Sequence, residues 1–388
     1  MSSARRPDRS GLEAPSPLPS GAPLSGSGDP SPAASGIVRG RLSFPADGRL
    51  TVVQFNDTQD SHRTDVRTTR LQRAVLEDVD PDVVVINGDV IDGVPATPLE
   101  LRQAINNVVQ PMEERGIPWV LTLGNHDTDS AAATGLGAAE ILEFAGRYAH
   151  NLNTAGAAGI TGSGNQVLTI TGSRSQGDAF ALWLIDSGRY APERIAGQDF
   201  EGYPRWDWVR ADQVRWYLET SEAIEAQNAG PVPGLLFQHI PLWEHRFMWF
   251  ASVDSRTSED HARAVARHGI VGQRHEQEAT GPVNSGLFSA LLHRGDVRGV
   301  YVGHDHVNTY DGDYYGVRLG YGPGTGFGTY GLPGRQEHQL RGARVFHLDE
   351  RADGVLAGTE LRLACDYGID LSPGRQPGPP AELPAWAR

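Results

Sequence analysis

Six apolar, β-type runs each stop at a polar side chain of the kind that binds metal ions or opens a loop. This pattern limits the fold more than any other feature of the chain. TVVQFN (51–56) leads into Asp57 and Gln59, VVVIN (83–87) into Gly88 and Asp89, and WVLTL (119–123) into Gly124, Asn125, His126 and Asp127. Further along, LWLI (182–185) leads into Asp186, LLFQ (235–238) into His239, and VYV (300–302) into Gly303, His304, Asp305 and His306. Side chains at the C-terminal ends of neighbouring strands in an α/β sheet converge on one crevice. Asp, Asn, Gln and His gathered there form a donor set for two hard or borderline divalent ions.

Taken singly, each residue has a plainer reading. Asp57 and Asp89 suit strand-ending turns, and His239 suits a satisfied core histidine. His304 and His306 would point to the same side of an extended segment, which alone says little. Asn125, His126 and Asp127 in a row are costly at a buried strand end without partners. Five such segments behind five apolar runs are hard to explain as independent turns.

Between the runs lie stretches of helical periodicity near 67–79, 98–114, 137–148, 208–226, 258–268 and 285–293. Segments 166–171 and 179–185 read as a hairpin, and 315–319, 342–348 and 355–363 as antiparallel strands. Early βαβ units followed by β-rich hairpins predict an α/β fold of mixed sheets flanked by helices. Residues 1–36 are rich in Pro, Ser, Gly and Ala and read as a disordered tail. Residues 37–371 then form one domain, and the Pro-rich 372–388 a loose tail.

Composition narrows the chemistry. All 34 basic Lys+Arg side chains are arginine, which removes mechanisms that need a catalytic, Schiff-base or P-loop lysine. The one cysteine, Cys365, rules out an intrachain disulfide and a thiolate zinc cluster. A net charge of −14 argues against nucleic acid or anionic membrane as a partner. No stretch is long and apolar enough to span a bilayer. The N-terminal residues carry arginines but no apolar run of a secretory signal, so the expected location is the cytoplasm, with secretion left open.

The order Asp57–x–Gln59, Gly88–Asp89, Gly124–Asn125–His126–Asp127, His239 and Gly303–His304–x–His306 resembles the calcineurin-like metallophosphoesterase superfamily over about 50–347. Within it, LIDSGRY (184–190), QHIPLWE (238–244), GHDHVN (303–308) and YGPGTGFGTYG (321–331) are most similar to the branch of plant "probable inactive purple acid phosphatases" and related yeast phosphatases. The resemblance implies two mixed β-sheets packed as a sandwich between helices. It implies that Asp89 bridges two divalent ions, with Asp57, Gln59 and His306 completing one site and Asn125, His239 and His304 the other. It sets His126 beside the substrate as the proton donor, with Asp127 holding its imidazole, and gives Asp186 no metal role.

Most members have His at the position of Gln59; the harder amide oxygen favours Mn or Fe, with Zn as an alternative. True purple acid phosphatases carry a tyrosine at the position of Asp92, so no purple charge-transfer band is expected. The implied activity is hydrolysis of a small-molecule phosphomonoester by a metal-bridging hydroxide. A phosphodiesterase acting on a cyclic nucleotide or lipid headgroup, and a non-catalytic scaffold, are the alternatives. His62, just past the first motif, is a candidate phosphate contact, and exposed loop histidine is its plainer reading. The run Trp243, Phe247, Trp249 and Phe250 reads either as a pocket wall or as packing.

Overall fold

The computed structural model describes residues 36–388; apart from Gly36, the tail expected over 1–36 lies outside them. Alternation along the strands sets the layers. Among the described residues, a five-stranded sheet runs in the order β14 (Leu356–Leu363), β13 (Gly342–Asp349), β2 (Arg49–Phe55), β3 (Val83–Asn87) and β4 (Trp119–Thr122). Strands β2, β3 and β4 are parallel, while β13 and β14 add on antiparallel. Val52, Val83 and Val85 face a core shared with Leu182, Leu235, Phe237 and Tyr301 of a second sheet. Val53, Val84 and Ile86 face the other way, onto Leu71 and Val75 of α1 (Val66–Val79) and Ile105 and Val108 of α2 (Pro98–Arg115). Burial on both faces explains why these strands read as unbroken apolar runs.

The second sheet has seven strands in the order β1 (Ile37–Ser43), β5 (Gln166–Thr171), β6 (Asp178–Leu184), β9 (Gly234–Phe237), β10 (Val297–Val302), β12 (Val317–Tyr321) and β11 (Asp311–Tyr314). Strands β6, β9, β10 and β12 are parallel. Its outer face packs on Trp216 and Tyr217 of α5 (Ala211–Glu225), Met248 of α6 (Trp243–Phe250) and Leu287 and Leu291 of α8 (Leu287–Arg294). The short helices α3 (Ala131–Thr134) and α4 (Ala138–Ala145) follow β4, α7 (Ser258–His268) stacks its His261 on Trp249 of α6, and β7 (Arg194–Ile195) with β8 (Gln198–Asp199) makes a small hairpin. The result is two mixed sheets face to face between helical layers.

The two-sheet sandwich that the resemblance implies is present, with β2, β3 and β4 in the first sheet and β6, β9 and β10 in the second. Two other expectations are corrected. Segments 315–319 and 342–348 do not pair, because β12 sits beside β10 while β13 pairs with β2 and β14. The glycine-rich segment between them crosses from one sheet to the other, with Gly324 bridging to Asn56. A Cβ at Gly326 would lie 1.9 Å from the carbonyl oxygen of Thr58, so this crossing tolerates no side chain there.

The second correction concerns residues 372–388, which are docked rather than loose. The buried guanidinium of Arg67 donates to the carbonyls of Ser372 (2.8 Å) and Gly374 (2.6 Å). Arg375 reaches Asp60 at 2.7 Å, and the amide of Gln376 donates to Asp65 at 2.7 Å. Leu383 and Ala387 enter the core over α1 and α2, and the Trp386 ring lies 5.0 Å from that of Tyr148. Composition alone misleads because a buried arginine must find acceptors, and these few carbonyls and apolar side chains supply what a Pro-rich tail otherwise lacks.

Two measurable consequences follow from this packing. Trp386→Ala should lower stability by about 1–3 kcal/mol, read as a shifted urea midpoint at constant m-value. His245, on α6, has both ring nitrogens buried without a hydrogen-bond partner, and burial holds its pKa down to about 4. The unfolded chain therefore takes up this proton first. The His245 contribution is full above an unfolded pKa of about 6.5 and is lost as pH falls toward the folded value. His245→Leu should remove roughly 2–3 kcal/mol of the stability difference between neutral and acidic pH in urea titrations.

Candidate metal centre

The C-terminal ends of β2, β3 and β4 meet those of β9 and β10, and Asn87 joins them. Its side-chain amide donates to the carbonyls of Gln238 (3.0 Å) and Tyr301 (3.2 Å) in the opposite sheet. Beyond this point the backbone of Asp57, Gln59, Asp89 and His304 turns into the left-handed region, with φ of 49°, 33°, 47° and 72°. Such conformations cost non-glycine residues on the order of 1–3 kcal/mol each and persist where the surroundings over-determine them. Here the amide of Asp57 donates to Gly88, that of Gln59 to Asp89, and that of His304 to the Asp57 carboxylate at 3.1 Å. A Cβ at Gly124 would stand 2.3 Å from Oδ1 of Asp89, so only glycine lets the β4 loop close on this carboxylate.

Two groups of ligand-type atoms result, each with its atoms within 4.8 Å of one another: Asp89, His239 and His304, and Asp57, Asp89 and His306. Asp89 is common to both. Nε2 of His239 lies 3.1 Å from Asp89 and 3.8 Å from Asp57, and Nε2 of His306 lies 3.4 Å from Asp57. Asn125 and Gln59 are buried in the same cluster of loops. Gln59 Oε1, both amide atoms of Asn125 and Nε2 of His304 are buried without a hydrogen-bond partner, and Asp89 Oδ2 has only Nε2 of His239 beside it. Buried polar atoms are rarely left unpaired, and this concentration suits a divalent cation.

The carboxylates here draw positive charge, including a proton on His239 that a bound cation would displace. Burial alone would push His239 down, but the carboxylates of Asp89 and then Asp57 raise it to about 10. Burial, reinforced by His239, holds His304 down to about 3, which leaves it a neutral donor. Despite burial, Asp57 is held below the ordinary carboxylate range by His306. The pocket thus attracts positive charge and keeps the carboxylates of Asp57 and Asp89 ionised.

The structure reassigns the group that holds His126. Asp127 does not face the imidazole; its carboxylate accepts from the amides of Val90 (2.8 Å), Ile91 (3.1 Å) and Gly124 (2.7 Å) and ties the β3 loop to the β4 loop. Burial and the neighbouring Asp89 raise its pKa to about 7. A turn from His126 to Asp129 brings the Asp129 carboxylate to 2.6 Å from Nδ1 of His126. Asp129 in turn receives Arg189 at 2.5 Å and the Tyr190 hydroxyl at 3.2 Å. Arg189 and Tyr190 follow β6, so its run contributes to the site through them. Asp186 instead caps the amides of Ser163 and Gly188.

His62 lies outside the ligand cluster, with Nε2 3.8 Å from Glu100 of α2. The aromatic run 243–250 forms α6 and packs on the outer face of the second sheet. The aromatic side chains at the centre are different ones. Trp206 sets its edge against His304 with ring centroids 4.4 Å apart, and Tyr330 stacks on His306 at 4.3 Å. Both line a cleft of about 310 Å³ together with Gln59, Asp89, His126 and Glu276. Tyr330 sits in the glycine-rich segment 321–331. Nothing in the periodicity around Trp206 marks it, since a loop pairing with Tyr190 carries it there.

A family model described as calcineurin-like phosphoesterase matches residues 50–308. Among curated relatives, "Probable inactive purple acid phosphatase 29" of Arabidopsis thaliana is 32% identical, over 82% of each chain. "Probable inactive purple acid phosphatase 14" of the same plant is 31% identical over 76% of this chain and 75% of its own. "Phosphatase DCR2" of Saccharomyces cerevisiae is 25% identical over 78% of this chain and 52% of its own. The solved structure of a dimetal phosphatase from Danio rerio aligns at 15% identity, with TM-score 0.48, over 77% of this chain and 95% of that one. With the family model spanning well over half its length, the chain belongs to the calcineurin-like phosphoesterase family.

Proposed function

We propose that the chain is a two-metal phosphohydrolase acting on phosphomonoesters. The observation that carries this reading is the set of unpaired, buried donor atoms around Asp89. In it Asp89 serves both metal positions, Asp57, Gln59 and His306 complete one, and Asn125, His239 and His304 the other. Two divalent ions held there would supply Lewis-acid charge to the phosphoryl oxygens and acidify a water for attack on phosphorus. The protein's own residues do the rest. His126, half-exposed above the ligands, donates a proton to the leaving oxygen, worth about 10²–10⁴-fold. Asp129 fixes the orientation of His126 through Nδ1, leaving Nε2 to face substrate. Gln59 offers a neutral amide oxygen, which favours Mn or Fe over Zn.

A second reading is a scaffold that keeps the fold without turnover, favoured by the word "inactive" in the plant relatives' names. Against it stands the complete donor set and the presence of His126. Metal analysis of purified protein, with assay of p-nitrophenyl phosphate hydrolysis after Mn²⁺ loading, separates the two. Absence of bound metal and of rescued activity would sink the enzyme reading.

Two sets of variants probe the roles. Asp89→Ala should lose metal and activity together, whereas His126→Ala should retain metal and lose about 10²–10⁴-fold in turnover. The loss should be steepest for esters with poor leaving groups. If His126→Ala hydrolyses such esters at the normal rate, it is not the proton donor. Asp127→Ala exposes three buried amides without acceptors and should cost about 3 kcal/mol or more in stability. Asp129→Ala should leave the unfolding midpoint nearly unchanged and lower kcat; equal effects of the two substitutions would refute this division of labour.

A further inference from the structure

The cleft above the ligands has two walls whose chemistry the family reading does not use. One is Trp206, held by a ribbon in which Tyr190 pairs with Trp206 and the amide of Ala191 donates to Arg205 at 2.7 Å. Its ring leans on that of Tyr190, with centroids 5.7 Å apart, and Arg205 lies 5.7 Å from its face. The other is Tyr330, whose hydroxyl donates to Glu276 at 2.9 Å and whose carbonyl accepts from the buried Arg341. Both rings are therefore anchored before any ligand arrives, and Tyr330 remains 49% exposed. Large aromatic rings left open beside a polar centre are a specificity feature, because stacking on them orients a flat ligand at little entropic cost.

Charge narrows the ligand further. Among the described residues, no arginine lines the cleft, and Arg189 at its rim is engaged by Asp129. Glu276, which also accepts from the amide of Val307 at 2.9 Å, sets a carboxylate on the Tyr330 side. On the Tyr330 side a second phosphate or a carboxylate would meet Glu276 and no lining arginine. The volume of about 310 Å³ is at the lower end of ligand sites, which run roughly 300–1,000 Å³.

We propose that the cleft selects small phosphomonoesters whose organic group is a flat aromatic ring without negative charge, received between Trp206 and Tyr330. This rests on the phosphohydrolase reading above. The test compares benzyl phosphate with cyclohexylmethyl phosphate on the full chain loaded with Mn²⁺. Both esters release a primary alcohol of similar size and differ chiefly in ring flatness.

Benzyl phosphate should be preferred in kcat/KM by about 2- to 12-fold, the range that aromatic stacking supplies. Trp206→Ala and Tyr330→Ala should each shrink this ratio, and the double variant should bring it close to one. A ratio of one in the unaltered protein, or a ratio that survives in both single variants, overturns the proposal. If Trp206 only braces His304, its removal lowers turnover of both esters and leaves the ratio intact, which counts against the proposal in the same way. Calorimetric binding of benzylphosphonate against cyclohexylmethylphosphonate decides the ring preference even in a protein that turns over neither ester. Equal binding overturns this inference alone, while absent turnover with preferential binding overturns the phosphohydrolase reading alone.

Discussion

Everything at the centre depends on two sheets packed face to face with almost no side-chain volume between their strand ends. Gly124 lets the loop after β4 close on the Asp89 carboxylate, and Gly326 lets the crossing segment pass over Thr58. Asn87 fills the remaining gap with an amide that satisfies one carbonyl from β10 and another just past the end of β9. Only with these contacts do carboxylates from one sheet reach imidazoles from the other. The inter-sheet core of Val52, Val85, Phe237 and Tyr301 holds the two halves at the separation this requires.

The centre is also where the backbone is least relaxed. Four of its residues, Asp57, Gln59, Asp89 and His304, have positive φ. Their positions are fixed by hydrogen bonds between loops, chief among them the three amides gathered by Asp127. Uncompensated donor atoms, close carboxylates and a tightly determined backbone occur together, as expected where a site is organised ahead of its ligand.

Much of this was legible in the sequence, for a physical reason. Parallel strands buried on both faces appear as apolar runs, and the donors stand immediately after them, so Asp57, Asp89, Asn125, His239 and His304 could be found without knowing the pairing. The assignment of strands to two sheets was not legible, because either sheet would give the same runs. The partner of His126 was missed for a local reason. Asp127 and Asp129 both follow it closely, and only the turn between His126 and Asp129 decides which carboxylate meets the ring. Trp206 and Tyr330 were missed because loops carry them, and loops have no period. The docking of 372–388 was missed because composition does not reveal that the Arg67 guanidinium is buried and draws chain carbonyls to itself.

The amide of Asn87 has one more consequence. It makes the alignment of the two sheets a quantity that the site measures. If one sheet slid past the other by a single residue, about 3.3 Å, both of its hydrogen bonds would break and Asp89 would part from His239. A well-packed interior transmits strain rather than absorbing it. Phe346 and Leu348, on β13, belong to the inter-sheet core without being among the donors, yet their shape helps to set the spacing of atoms at the strand ends. The sandwich acts as a vernier, and the metal-type donors are its reading.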